Sequence, residues 1–320
     1  MKLTKGIIGL ILIAVITTAS VLQLHGTEVH RKLTKTSTTA KGGAVNNKFG
    51  NITVKHWDKQ EVSVIVTIKA KASKEEIANE MAKSITIKFE ETGGILSAST
   101  SFPSNLKTDD NKKISVDYEV TLPDNYTLDI KNMFGNITFP ETIQKGKTDT
   151  DIKYGNIYGG NFAGILNIDS EYGSMSIDKI VNGKIICGYD RNCVIKEAGK
   201  INVKLAYSGL KFDSISDLTA SAEYSDITIG VLKKSILIDK FGFSKIFLNG
   251  ASADVSKISI TGADYSSINL VLDKIEKISP DLGHESFTSY DIKEITPQII
   301  GEGGTPVIIR GNFAKVKLRK

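Results

Sequence analysis

Residues 153–157 read KYGNI, 171–177 read EYGSMSI, 206–210 read AYSGL and 223–227 read EYSDI. Each stretch writes an aromatic, a small residue and short apolar positions in the same order. Aromatics followed by a small or turn-forming residue fall at Phe134, Tyr154, Tyr172, Tyr189, Tyr207, Tyr224 and Phe241, spaced by 20, 18, 17, 18, 17 and 17 residues. A fixed short period is the mark of a solenoid. Aligned on the aromatic, Ile168, Ile185, Val203, Leu205, Ala220 and Ala222 lie two or four positions upstream. Ile157, Met175, Ile177, Leu210, Phe212, Ile227 and Ile229 lie three or five positions downstream. Alternation with period two marks strands with one buried face. The aromatic–small pair between them is a corner, repeated once per coil, where Gly or Ser eases the turn and each ring can stack on the next.

The expected fold is therefore all-β: a single-stranded parallel β-helix with coils of 17–25 residues and one short helix near its N-terminal end. Parallel crossovers favour a right-handed winding. From Phe134 onward there is room for about ten coils, a rod roughly 45–50 Å long at the inter-strand spacing. Later coils are longer, with Tyr265, Tyr290 and Phe313 spaced by 24, 25 and 23 residues and the loops SPDLGHES and GEGGTP taking up the excess.

Residues 45–140 read as elaborated coils, since Phe49–Ile52 (FGNI) recurs verbatim at Phe134–Ile137. SKEEIANEMAKS contains the helix, at about 74–84, with Ser73 as expected cap, Glu76 completing a capping box, and Ile77 and Met81 on one face. This part is expected to shield the open end of the stack from edge pairing. Residues 27–44 form a linker or first strand, and 141–320 the regular coils.

Residues 1–26 read as a signal peptide or signal anchor. MKLTK is a short basic region, and GIIGLILIAVI is an apolar run of signal-peptide length. Cleavage fits after Ala19 or Gly26; an uncleaved segment would be the chain's link to a membrane. Export to the periplasm or cell surface is the expectation. The 320 residues are 40% hydrophobic and carry a net charge of +5, which falls to +3 without Lys2 and Lys5 of this segment. That balance is too mild to argue for nucleic acid.

The exported N-terminus, FGNITVKHWDKQEVSVIVTI, the helix, ISVDYEVTLP and the serial YG-type coils together resemble the adhesin β-helix proteins of Gram-negative bacteria, families described as auto-transporter adhesin heads. The resemblance spans roughly residues 45–320. It implies a right-handed parallel β-helix that is exported and binds a glycan, a protein or envelope material, with no catalytic residues and no cofactor to carry over.

Candidate chemistry is sparse. Asp151 and Asp169 share one column in adjacent coils, a carboxylate pair of the kind a polysaccharide-active β-helix would need. The column then runs on through Ile186, Lys204, Ser221 and Ile238, without further acids. His25, His30, His56 and His284 show no paired metal spacing. Asp109-Asp110-Asn111 lacks the pattern of a calcium loop, and GEGGTP lacks the P-loop lysine. Trp57 is expected to pack against the helix. Cys187 and Cys193 flank the Tyr189 corner. Each falls in an inward column if one residue is inserted after Tyr189, as a free core pair or as a corner-closing disulfide. The functional expectation is a non-enzymatic rod presenting polar columns, among them Lys153, Asn167, Asp169, Glu171, Lys184, Asn202, Lys204 and Thr219, to a partner. The alternatives are an Asp-pair enzyme and an anchored envelope sensor.

Overall fold

The computed structural model describes residues 27–106, 108, 111–272, 275–282, 287–290 and 305–319. The targeting segment with His25, the acidic pair Asp109-Asp110, His284 and residues 301–304 of GEGGTP lie outside the described residues.

The period-two columns fold into a β-solenoid. Ser174–Gly188, Cys193–Ala206, Gly209–Glu223 and Asp226–Gly242 each trace most of a coil and pair in parallel with the next. The register advances one repeat at a time, so Ile185 lies beside Val203, and Val203 beside Ala220. Every apolar position predicted to face inward is buried, and these side chains join one continuous core. Burial of such columns at about 25 cal/mol per Å² of apolar surface is the main force holding the coils together.

One corner is displaced from its expected place. Phe241 is fully buried, while Phe243 takes the corner geometry and joins the ring stack. Both are followed by a small residue, so the sequence offers two candidate corners two residues apart. The coil from Tyr224 is 19 residues long, and two bulges, between Ile215 and Asp217 and between Ala220 and Ser221, absorb one extra residue each. The second bulge sets Ser221 beside Lys240, while Ile238 lies beside Ala220 in the core. The column of Asp151 and Asp169 therefore continues to Lys240 and not to Ile238.

At each end the spatial order of coils departs from chain order. The coil Gly42–His56 pairs directly with strands Thr127–Met133 and Ile137–Thr138, across an excursion of about 70 residues. On its other side lie Ile95–Ser101 and Lys113–Leu122. At the C-terminal end, strands Thr305–Gly311 and Lys315–Arg319 insert between Lys257–Val271 and the earlier segment Ile275–Tyr290. Phe313 thus stacks directly on Tyr265, and Tyr290 lies in a strand opposite Leu318, not at a corner as its spacing suggested. Local sequence does not decide this, since Tyr290-Asp291 repeats the pattern of the Tyr189-Asp190 corner; the pairing of the strands does.

The N-terminal end is also not purely parallel. Thr27–Ser37 pairs antiparallel with Val62–Ala72, which pairs antiparallel with Lys113–Leu122. Thr86–Thr92 pairs antiparallel with Ile95–Ser101. Only the last of these pairs is a hairpin, turned by Gly93-Gly94; the other two are closed across longer excursions of the chain. The helix Glu75–Ser84 lies against Thr27–Ser37 and Val62–Ala72 and buries Ala78, Met81 and Ala82. Its cap is not Ser73: Lys74 occupies that position in an extended conformation, without a side-chain cap. The opposite end is held instead, where Arg31 donates to the carbonyls of Ala82 and Ile85 at 3.4 and 3.1 Å. Trp57 is half-buried; its indole N–H donates to the Glu61 carbonyl at 2.9 Å, with Lys59 over the ring.

Asp117 joins this cap to the first coil. Its carboxylate accepts the N–H of Asn51 and the hydroxyl of Ser115, both at 2.9 Å, and pairs with Lys69 at 2.7 Å. Asn51 accepts from the N–H of Asn136, and Asn136 from that of Asn156, so Asp117 starts a ladder.

Two outcomes follow. A Cβ at Gly155 would fall inside the contact distance of the Gly135 carbonyl oxygen. Gly155→Ala should cost about 1–3 kcal/mol in denaturant unfolding. Burial pushes the Asp117 carboxyl up, but its three partners together hold it below its ordinary value of 3.8. Its charge then stabilises the fold above about pH 4, and this is lost as pH falls through the depressed folded value. The Tm deficit of Asp117→Asn, measured from pH 6 down to pH 2, should shrink in that acid window.

Candidate functional site

The corner aromatics form one uninterrupted stack. Phe49, Phe134, Tyr154, Tyr172, Tyr189, Tyr207, Tyr224, Phe243, Tyr265 and Phe313 lie with ring centroids 4.6–5.2 Å apart and planes within 9° of parallel. Each ring stands on a residue with φ between 51° and 62°, in the left-handed region. The turn is thus made by the aromatic itself and not by the Gly or Ser after it. Such a conformation costs a non-glycine residue about 1 kcal/mol. Stacking on both faces offsets it, as does a hydrogen bond from the aromatic N–H to a carbonyl of the next coil, for example Tyr207 to Glu223 at 3.1 Å.

The small residue has another task. At Gly135, Gly155 and Gly173 the backbone comes within a hydrogen's reach of the neighbouring coil, and no Cβ fits. From Asp190 to Ser266 the same position is polar and buried. The N–H of Asp190 donates to Oγ of Ser208, Ser208 to Ser225, Ser225 to Ser244 and Ser244 to Ser266, at 3.0–3.2 Å. Each of these serine hydroxyls donates in turn to a carbonyl two residues back. The corner N–H groups from Gly173 to Ser244 are therefore satisfied inside the rod.

What reaches solvent is the outer edge of the stack. The ten rings are 36–54% exposed. Because face covers face, the ridge offers ring edges and, at the five successive positions from Tyr154 to Tyr224, phenol hydroxyls that make no hydrogen bond to another described residue. Beside it runs an open groove of about 520 Å³ lined by Asn192, Gly209, Asp226, Lys245 and the flanks of Tyr207 and Tyr224.

The carboxylate pair lies elsewhere. Asp151 and Asp169 are neighbours in adjacent coils, as the columns predicted, with Lys131 before them and Ile186 after. The neighbouring outward column adds Asp129 and Asp149, which reading one column at a time missed, and all four line a shallow groove. Burial with the nearby charges of Asp151 and Glu171 pushes Asp169 up. Burial also acts on Asp149, but Lys147 and Asn167, bonded at 2.7 and 2.8 Å, hold it below the usual carboxylate range. Elsewhere the outward charges pair between coils, as Lys153 with Glu171 at 2.9 Å and Lys196 with Asp178 at 2.6 Å.

Cys187 and Cys193 are both buried in inward columns, as free thiols, with Asn192 the inserted residue and its φ at 58°. Burial and the adjacent Cys193 push the Cys187 thiol well up, the contact with Cys193 being the larger cause. His30 pairs with Glu28 at the surface. His56 bonds Thr142 and Gln144 at 2.8 and 2.7 Å, and burial lowers its pKa.

No protein-family model and no curated protein matches the chain. Solved structures do. A protein of Bacteroides fragilis described as a "putative adhesin" is 12% identical, with 90% of this chain and 97% of that one covered and a TM-score of 0.29. A "putative adhesin" of Parabacteroides distasonis is 10% identical over 92% and 97%, TM-score 0.35. A protein of the same organism described as a "putative lipid binding protein" is 14% identical over 92% and 97%, TM-score 0.32. Those descriptions belong to those proteins.

Replacing one ring separates the stacking from the backbone cost. Tyr207→Ala should lose about 1–3 kcal/mol from two broken stacks. Tyr207→Gly, which accepts positive φ freely, should recover up to about 1 kcal/mol of that. Paired denaturation curves of the two variants measure both quantities.

Proposed function

We propose that this chain is an exported, non-enzymatic β-solenoid that acts as an adhesin or envelope scaffold, holding an extended repetitive ligand along its aromatic ridge. The observation that carries this is the row of unpartnered, half-exposed tyrosine hydroxyls, regularly spaced on a rigid rod. Weak contacts repeated at one spacing add up on a ligand that repeats. Ring edges and hydroxyls together suit the mixed C–H and O–H surface of a glycan. Export is supported by the basic-then-apolar segment at the N-terminus. Among the described residues no helix is long and apolar enough to cross a membrane.

The test removes hydroxyls and keeps rings. In Tyr172→Phe/Tyr189→Phe/Tyr207→Phe the stack should persist, since Phe already occupies four of its places. Binding of the purified chain to arrayed and insoluble polysaccharides should fall at least tenfold, with Tm unchanged. Equal binding by the triple variant would remove the ridge as the binding line. Protease shaving of intact cells tests the location: digestion puts the rod at the surface, and protection until the outer membrane is permeabilised puts it in the periplasm.

A second reading rests on the opposed shifts of Asp149 and Asp169 within one groove, the arrangement that lets one carboxyl donate a proton while its neighbour stays ionised. It requires polysaccharide cleavage by the wild type that is abolished in Asp169→Asn.

A further inference from the structure

The serine ladder is broken at one rung. Where later coils place Ser208, Ser225, Ser244 and Ser266, the Tyr189 coil places Asp190, with no exposed surface. One carboxylate oxygen accepts the N–H of Gly173 at 2.6 Å, which is the ladder's ordinary bond. The other, Oδ2, is buried and makes no hydrogen bond of normal geometry, while the Ser170 hydroxyl and the Cys187 thiol lie near enough to the carboxylate to favour its charge. A serine makes the same rung with no spare oxygen, so ladder geometry alone does not account for the acid here. The same corner carries the extra residue Asn192, and its left-handed turn brings Cys193 back into the inward column facing Cys187. Sγ of Cys187, Sγ of Cys193 and a carboxylate oxygen of Asp190 all lie within 4.8 Å of one another, every one of them buried.

We propose that Cys187, Asp190 and Cys193 form a buried site for a thiophilic closed-shell cation, Zn²⁺ or Cu⁺. Two sulfurs and one carboxylate oxygen on a C-x2-D-x2-C corner make a compact donor set. A tetrahedral ion with bonds of about 2.0–2.3 Å holds such donors roughly 3.3–3.8 Å apart. Side-chain rotations of about 1 Å close the present arrangement to that size. Thiolates and thioethers select soft and borderline ions over Mg²⁺ or Ca²⁺. The surroundings offer a fourth donor of either kind. Ser170, paired with Cys187, is buried, and its Oγ makes no hydrogen bond of normal geometry but lies beside the Asp190 carboxylate. Met175 precedes Cys193 by one coil in the same inward column, buried beside it. Binding releases the two thiol protons, and the cation neutralises a carboxylate otherwise stranded in the core. A bound ion would pin the one coil whose corner is a residue too long.

The experiment uses the purified full-length chain, reduced and stripped of metal, titrated without oxygen with Zn²⁺ and separately with Cu⁺ against a chromophoric chelator. One equivalent of one of the two ions should bind, with a rise in Tm and loss of both thiols to a thiol reagent. Asp190→Ser restores the ladder's own residue and Cys187→Ala places the residue found at Ala222, one position of the same column, so both variants should keep the wild-type circular dichroism. Both should bind at least tenfold more weakly. Unchanged affinity in Asp190→Ser would overturn the three-donor site, since a simple dithiol chelate survives that change. Failure of the reduced wild type to take up either ion would overturn the proposal outright, as would a chain that only forms a Cys187–Cys193 disulfide on re-oxidation.

Discussion

Backbone hydrogen bonds between parallel strands hold successive coils about 4.8 Å apart, and nearly everything else in this rod is a consequence of that distance. It is also close to the separation at which aromatic rings stack and at which an N–H reaches a neighbouring side-chain oxygen. Any residue type placed at one point of the coil therefore meets its own kind above and below. Ring meets ring along the ridge, Ser meets Ser inside the corner, and Asn meets Asn beside it. Lysine meets acid where charges would otherwise repel. The columns are favourable because like pairs of these types attract or hydrogen-bond; like charges do not, and the carboxylates Asp151 and Asp169 meet at a cost visible in the raised Asp169.

The corner shows how such columns carry strain. Ten aromatics adopt a left-handed backbone that isolated chains avoid. The cost is shared by stacking on two faces, by the aromatic N–H bonded to the next coil, and by the buried ladder beneath. None of these contacts exists within a single coil, so the corner is stable only as a member of the array. This is the nearest-neighbour cooperativity expected of a solenoid, and it places an exposed, regular and rigid ridge on the outside as a by-product of internal satisfaction.

The ends obey a different constraint. A stack of parallel strands leaves an edge of unpaired backbone at each terminus. Here each edge is covered by a segment that the chain lays down out of order: Ile95–Leu122 beyond the first coil and Ile275–Tyr290 beyond the last. At the first coil Phe102 meets Phe49 edge-on, so the stack stops there.

The β-solenoid, its coil length, the inward columns, the corner at each aromatic–small pair, the helix and the adjacency of Asp151 with Asp169 were all legible in the sequence. Each follows from a period that one chain displays along its own length. The choice of Phe243 over Phe241 was not, because both satisfy the same local pattern and only the register of the next coil separates them. Nor was the end order, since Tyr290 and Phe313 have the right spacing and only pairing distinguishes a strand residue from a corner. The serine column can be seen by alignment, but its meaning rests on which N–H faces which oxygen one coil away. The joining of Asp190 to Cys187 and Cys193, and of Asp129 and Asp149 to the known pair, likewise depends on burial and on neighbouring columns. Periodicity along a chain fixes what repeats; contacts across coils decide which of the departures from the repeat come to face one another.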